Sequence, residues 1–176
     1  KYSFLIDTAL PTVFLKSGFE HTANQKRRRE FIKTGEGIVN ALYNHPSVVY
    51  YTIFNEGWGQ FKADDCYTHF KALDPTRIYD ATSGWFKKHL SDVESEHVYF
   101  KKLKLKSKKG RPLVLSEFGG YSYKIDEHSF NLDNTYGYRF FKDGTKFQAA
   151  IKDLYIDEVL PAIRDEGLSG AVLTQV

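Results

Sequence analysis

An α/β fold, arranged as part of a (β/α)8 barrel, is predicted by three features of this chain. Short β-branched and aromatic runs bounded by turn residues alternate with segments of helical period, the pattern of a parallel sheet with helical crossovers. Two of those runs end alike. Val48-Val49-Tyr50-Tyr51-Thr52-Ile53-Phe54 stops at Asn55-Glu56-Gly57, and Pro112-Leu113-Val114-Leu115 stops at Ser116-Glu117-Phe118-Gly119-Gly120. The strand count is the third feature. About five strands are legible in 176 residues, whereas a complete barrel takes ~250. Because open apolar sheet edges are normally avoided, residues 1–176 read as the later strands and helices of one barrel domain, completed by a partner segment or a longer chain.

The elements follow in order. Residues 1–24 have mixed periodicity, with Pro11 and Gly18, and read as a long loop with short pieces of structure. From Gln25 to Asn44 the period is helical, with Phe31, Ile38 and Leu42 on one face and Ile32, Val39 and Tyr43 beside it. Gly35 and Gly37 weaken this helix, and Asn44-His45-Pro46-Ser47 ends it before the strand to Phe54. Asp64 to Leu73 is a second helix, stopped by Asp74-Pro75-Thr76-Arg77. Ile78 to Thr82 is a strand ending at Ser83-Gly84-Trp85. His97 to Phe100 is a short strand after the acidic stretch Asp92 to Glu96, and the lysine-rich Lys101 to Arg111 leads into the Leu113 strand. A third helix, Lys146 to Arg164, turns Phe147, Ile151, Leu154, Tyr155 and Val159 inward and bends at Pro161. Gly167 caps it, and Ser169 to Val176 is the last strand. No repeat and no interdomain linker appears.

Composition narrows the function classes. With 41% apolar residues the chain is too rich for disorder. Its 14 Phe, 12 Tyr and 2 Trp mostly fill a core, but flat rings also suit the apolar faces of sugars. A net charge of +3, from 25 basic and 22 acidic residues, does not point to nucleic acid. The basic runs Lys26-Arg27-Arg28-Arg29 and Lys101 to Arg111 read as solvated faces. One cysteine, Cys66, excludes an intrachain disulfide and fits a reducing, cytoplasmic setting. No signal peptide and no apolar span of ~18 residues is legible, so no membrane partner is expected. The chain starts at Lys1 without a methionine, so a leader could precede it.

The two strand-end glutamates carry the chemistry. Carboxylates at the C-terminal ends of parallel strands stand where α/β folds place their active sites. If the strands ending at Glu56, Gly84, Phe100 and Glu117 are consecutive, the glutamates face each other across a barrel mouth. Glycoside hydrolysis needs that arrangement: one carboxyl protonates the departing oxygen, and the other attacks the anomeric carbon or activates water.

His45-Pro46-Ser47-Val48-Val49 followed by Phe54-Asn55-Glu56-Gly57-Trp58-Gly59-Gln60 resembles the acid/base segment of glycoside hydrolase family 2, which includes β-galactosidases, β-glucuronidases and β-mannosidases. Leu115-Ser116-Glu117-Phe118-Gly119-Gly120 is similar to that family's nucleophile segment, and Asp74-Pro75-Thr76-Arg77 to the turn before its next strand. The resemblance covers most of the chain from Gln25. It implies a retaining mechanism on a (β/α)8 barrel, a carbohydrate substrate, β-sandwich domains and further barrel strands in a longer chain, and a possible homo-oligomer. No cofactor is implied.

Carried over residue by residue, the resemblance makes Glu56 the general acid/base and Glu117 the nucleophile. Glu56 must hold a proton near neutral pH, which burial and the charge of Glu117 favour. That charge disappears when the glycosyl-enzyme ester forms, and Glu56 can then activate water. Asn55 would contact the sugar 2-hydroxyl, and Tyr99 would hydrogen-bond the nucleophile. By strand alternation His97 and Tyr99 cannot both point inward unless the strand ends there. Trp58 and Trp85 follow strand ends and are candidates for stacking on a sugar. The chain departs from the family pattern in its last strand, where Gly170 to Gln175 lacks the tryptophan that floors the sugar site in many members. A β-galactoside is the first expectation for the substrate and a β-glucuronide the second. The latter would require a cation near the sugar carboxylate, for which Lys87, Lys88 and Arg139 are candidates.

Two other readings stay open on sequence. In a metal-dependent sugar isomerase Glu56, His97 and Glu117 would ligate one divalent ion, although no HxH, HExxH or CxxC spacing supports a metal. A non-catalytic sugar-binding domain would keep the fold without turnover.

Overall fold

A computed structural model describes residues 13–15, 18–20, 25–57, 59–106, 110–131 and 133–174. The chain forms two compact units, Lys1–Ser95 and Glu96–Val176. Most of the loop expected over residues 1–24 lies outside the described residues. What is described there is an antiparallel pair, β1 (Val13–Leu15) with β2 (Gly18–Glu20). Among the described residues no helix is long and apolar enough to cross a membrane.

The first unit is built on two parallel strands and two helices. Helix α1 (Gln25–Leu42) leads to β3 (Tyr50–Asn55), and α2 (Ala63–Leu73) leads to β4 (Ile78–Ser83). β3 and β4 run parallel, from Tyr50 opposite Ile78 to Asn55 opposite Ser83. The core is aromatic: Phe31 stacks on Phe54 at 5.1 Å, and Phe61 and Phe70 meet Phe31 edge-on. The buried stripe of α1 is Phe31, Gly35 and Val39; Phe31 and Val39 belong to the predicted faces, while Ile38 and Leu42 are only half-buried. Gly35 explains the shift. A Cβ there would lie 2.5 Å from Phe70 Cζ, so the glycine lets α1 close onto the Phe70 ring. This residue weakens the isolated helix but fits the packing.

The turn before β4 is clamped by charge. Asp74, fully buried, accepts from the Thr76 hydroxyl at 2.6 Å and from Arg77 Nη1 at 2.7 Å. Arg77 also donates to the carbonyl oxygens of Val48 at 3.0 Å and Tyr43 at 2.6 Å. The guanidinium thereby ties the start of β4 to the start of β3, which sets their register. A buried charge tolerates this position only because every face of it is paired.

β5 (Glu94–Val98) straddles the boundary between the units and heads a sheet of order β5–β6–β9. It begins three residues earlier than predicted, at Glu94 and not His97, and ends two residues earlier, at Val98 and not Phe100. The sequence places the strand after the acidic stretch because Glu94 and Ser95 are polar, yet both are buried. Glu94 is neutralised by Lys87 Nζ at 2.6 Å, and the Ser95 hydroxyl accepts from the Gly84 N–H at 2.9 Å.

In the second unit β6 (Leu113–Gly119) and β9 (Leu168–Thr174) pair in parallel. A small parallel ribbon, β7 (Tyr121–Tyr123) with β8 (Arg139–Phe141), was not legible in the sequence. The third predicted helix is divided into α3 (Gly144–Asp153), a π-helical turn at Leu154–Val159 and α4 (Leu160–Glu166). Pro161 is the cause. It lacks an N–H and its ring would strike the carbonyl four residues back, so the helix widens ahead of it. The Leu160 N–H reaches back five residues to Tyr155 O. The inward face becomes Ala150, Leu154, Val159 and Ala162, with a five-residue step across the π turn, and leaves Tyr155 38% exposed. Gly167 closes α4 in the left-handed conformation, φ 71°, the glycine cap that the sequence predicts.

Candidate active site

In the first unit the candidate residues gather at the C-terminal end of β3. Asn55 is the last strand residue, and Glu56 follows with φ 54°, a left-handed backbone rare for a side-chain-bearing residue. Its N–H donates to Ser83 O at 2.9 Å, so the chain turns while still paired to the end of β4. Gly57, at φ 78°, completes the turn. Strain of this kind costs about 1–3 kcal/mol and concentrates at functional sites. Just beyond, Gln60 is fully buried and donates to Phe86 O at 3.0 Å. Among the described residues, Asn55 Oδ1 and Gln60 Oε1 are both buried without a hydrogen-bond partner. Orphaned acceptors at a strand end are open to a ligand's donors.

Trp85 lies in the turn after β4, 45% exposed, beside Gly84 at φ 82°. Trp58 lies outside the described residues. Of the cations considered for a sugar carboxylate, Lys87 is engaged by Glu94, while the Arg139 guanidinium lies against the rings of Tyr121 and Phe141 at 5.2 and 4.9 Å.

In the second unit the structure brings Glu117, His97 and Tyr99 together. Glu117 is not beyond the strand, as the glycines suggested, but its fifth residue. An irregularity in β6 aims it. Leu113, Leu115 and Phe118 all enter one apolar cluster, and a strict period of two would have put Glu117 there instead. The register against β9 shifts between Leu115 and Phe118, so one extra residue is accommodated. Phe118 takes the core position and Glu117 is released from it, which is how a bulge re-aims a side chain.

What meets Glu117 is polar. The Tyr99 hydroxyl donates to Glu117 Oε2 and also lies 3.4 Å from Thr174 Oγ1. His97 Nδ1 stands 3.6 Å from the same carboxylate oxygen, with its side chain fully buried. The alternation problem is resolved because β5 ends at Val98: His97 points to one face by register, and Tyr99, outside the strand, turns to the same place. Glu117 itself is only 9% exposed. Thr174 and Tyr138 were not singled out from sequence. Tyr138 sits in the irregular segment between β7 and β8, where no periodicity marks it.

Three comparisons bear on this arrangement. The family model described as glycosyl hydrolases family 2, TIM barrel domain, matches residues 9–160. A search of curated proteins finds no match. Among solved structures, a β-D-glucuronidase from Dictyoglomus thermophilum is similar with a TM-score of 0.58 at 17% identity, covering 86% of this chain and 29% of that one. A calcium-binding mutant of Bacteroides uniformis β-glucuronidase 2 gives 0.55 at 16% identity, covering 88% of this chain and 22% of that one. The chain thus spans less than a third of the length of either, and at these identities the likeness is one of fold. The match over most of the sequence decides the family: this chain belongs to the glycosyl hydrolases of family 2, as part of their TIM barrel domain.

Proposed function

We propose that this chain carries the catalytic carboxylates of a retaining β-glycosidase, with Glu117 as nucleophile and Glu56 as general acid/base. The observation that carries the reading is the setting of Glu117. It is a buried carboxylate turned out of the core by a strand irregularity and met by a tyrosine hydroxyl, in a chain of this family. A nucleophile needs such fixed aim, because attack at an anomeric carbon tolerates little misplacement.

In the first step Glu117 attacks the anomeric carbon as Glu56 gives its proton to the departing oxygen. In the second, Glu56 takes a proton from water, which displaces Glu117 from the ester with net retention. A retaining mechanism of this kind requires two carboxyl groups ~5–5.5 Å apart. The left-handed backbone of Glu56 supports a positional demand on that residue, and the orphaned Asn55 Oδ1 supports a contact with a sugar hydroxyl.

For the sugar, a β-glucuronide is the first to assay, since both solved relatives named above are β-glucuronidases; a β-galactoside is the second. Because the chain spans less than a third of either β-glucuronidase, the activity is to be assayed on the full-length protein. The test is turnover of aryl β-glucuronides and β-galactosides by the full-length protein and its Glu117→Gln and Glu56→Gln variants. Loss of Glu117 should nearly abolish turnover, and loss of Glu56 should cost about 10²–10⁴-fold. A Glu117→Gln variant with unchanged turnover would refute the assignment, whereas a protein that binds sugar and turns over none would be a binding module.

A further inference from the structure

We infer that Tyr138 is a positioning residue for Glu117, acting through Tyr99; the inference rests on the reading of Glu117 as nucleophile. Tyr99 lies beyond the last residue of β5, so strand register does not set the direction of its side chain. Ring packing takes over that task. The Tyr138 and Tyr99 ring centroids are 4.1 Å apart, with planes inclined at 38°, closer than the ~4.5–7 Å usual for aromatic pairs. Phe100 stands edge-on to Tyr138 at 4.9 Å and borders the same corner.

Tyr138 is itself seated by the strand that bears Glu117. Its N–H donates to Gly120 O at 2.7 Å, and Gly120 directly follows β6. Gly120 has φ 65° and presents no side chain; a Cβ there would collide with Tyr138 Cδ2. The contacts therefore close a circuit. Glu117 and Gly120 share one strand end, Gly120 seats Tyr138, Tyr138 backs the Tyr99 ring, and the Tyr99 hydroxyl returns to Glu117. Within this circuit the Tyr138 ring is what matters. Its hydroxyl lies 3.4 Å from that of Tyr136, whereas the contact with Tyr99 is made by the ring. A supporting shell of this kind sets how precisely a reactive group is aimed.

The experiment is steady-state kinetics of the full-length enzyme on an aryl β-glycoside with a poor leaving group, so that attack by Glu117 limits turnover. Tyr138→Phe should keep both kcat and KM. Tyr138→Ala should lower kcat by up to roughly 10²-fold, the cost of misplacing a reacting group by about 1 Å, with KM little changed. In a Tyr99→Phe background, Tyr138→Ala should add almost nothing, because residues that act in series are not additive. Tyr138→Leu, which fills the space without a flat ring, should lower kcat in the same direction and guards against a Tyr138→Ala variant that fails to fold. A raised KM with unchanged kcat, or an equal cost in both backgrounds, would overturn the inference, since either means the ring acts on substrate directly. Glu117→Gln separates the two levels of argument. If that variant is inactive while Tyr138→Ala is silent, only this inference falls; if it is active, the nucleophile reading falls first.

Discussion

The Tyr99 hydroxyl donates to Glu117 Oε2 from a position one residue beyond the end of β5, and His97 Nδ1 approaches the same oxygen to 3.6 Å. A carboxylate that accepts a hydroxyl hydrogen bond keeps its orientation and its charge. Removing the donor removes a bond to a charged group, worth about 1.5–3 kcal/mol. Tyr99→Phe should therefore lower kcat/KM about 10–100-fold, measured by steady-state kinetics, with the thermal midpoint near that of the parent. An unaltered kcat/KM would show that the contact has no part in attack.

Gly35→Ala sets two effects against each other. Helix propensity alone favours alanine by about 1 kcal/mol. The added Cβ, however, would lie 2.5 Å from Phe70 Cζ, inside a packed aromatic core. Overpacking costs about 1–3 kcal/mol, so the variant should be destabilised in denaturant unfolding. A stabilised variant would mean that the Phe70 ring yields freely.

Asp74→Asn tests the clamp before β4. The Arg77 side chain is 12% exposed and would keep its charge while losing its carboxylate partner. Breaking a buried pair from one side costs about 3–5 kcal/mol, a loss readable as a fall in unfolding free energy.

Stability should also fall in acid. Burial alone would raise Asp74, but the Thr76 hydroxyl and N–H and the Arg77 guanidinium outweigh it and hold the carboxyl below its ordinary value. Asp92 is likewise lowered, burial being outweighed by the Tyr79 N–H, Lys71 and the Tyr67 hydroxyl. A depressed folded-state pKa stabilises the protein above the unfolded value, ~3.9 for aspartate. That contribution is lost as pH falls through the folded value. The thermal midpoint should thus drop below about pH 4, and Asp92→Asn should flatten the profile. A midpoint that stays constant through this range would contradict the assignment.

How much of this was legible depends on which force dominated locally. β3 and β6 stand out in the sequence because burial on both faces demands unbroken apolar runs, and Asp74 to Arg77 reads as a stop because proline ends helices. β5 was displaced because its first residues are polar and are buried through pairing with Lys87 and Gly84 rather than through apolarity. The motif marks Glu117 but not its place inside the strand, since a local change in register has no signature in hydropathy. The bend near Pro161 was expected, while its form, a π turn ahead of the proline, follows from which carbonyl the ring would strike. Tyr138 gave no signal, because a long connection brings it to Tyr99 and its neighbours in sequence have no period.

The central claim is a covalent bond between sugar and Glu117, and trapping tests it most directly. Full-length protein treated with an activated 2-deoxy-2-fluoro-β-glycoside of the preferred sugar should accumulate a glycosyl adduct, and peptide mass spectrometry should place it on Glu117. The Glu117→Gln variant should take up none. A label on another residue, or an adduct that persists in that variant, would contradict the account.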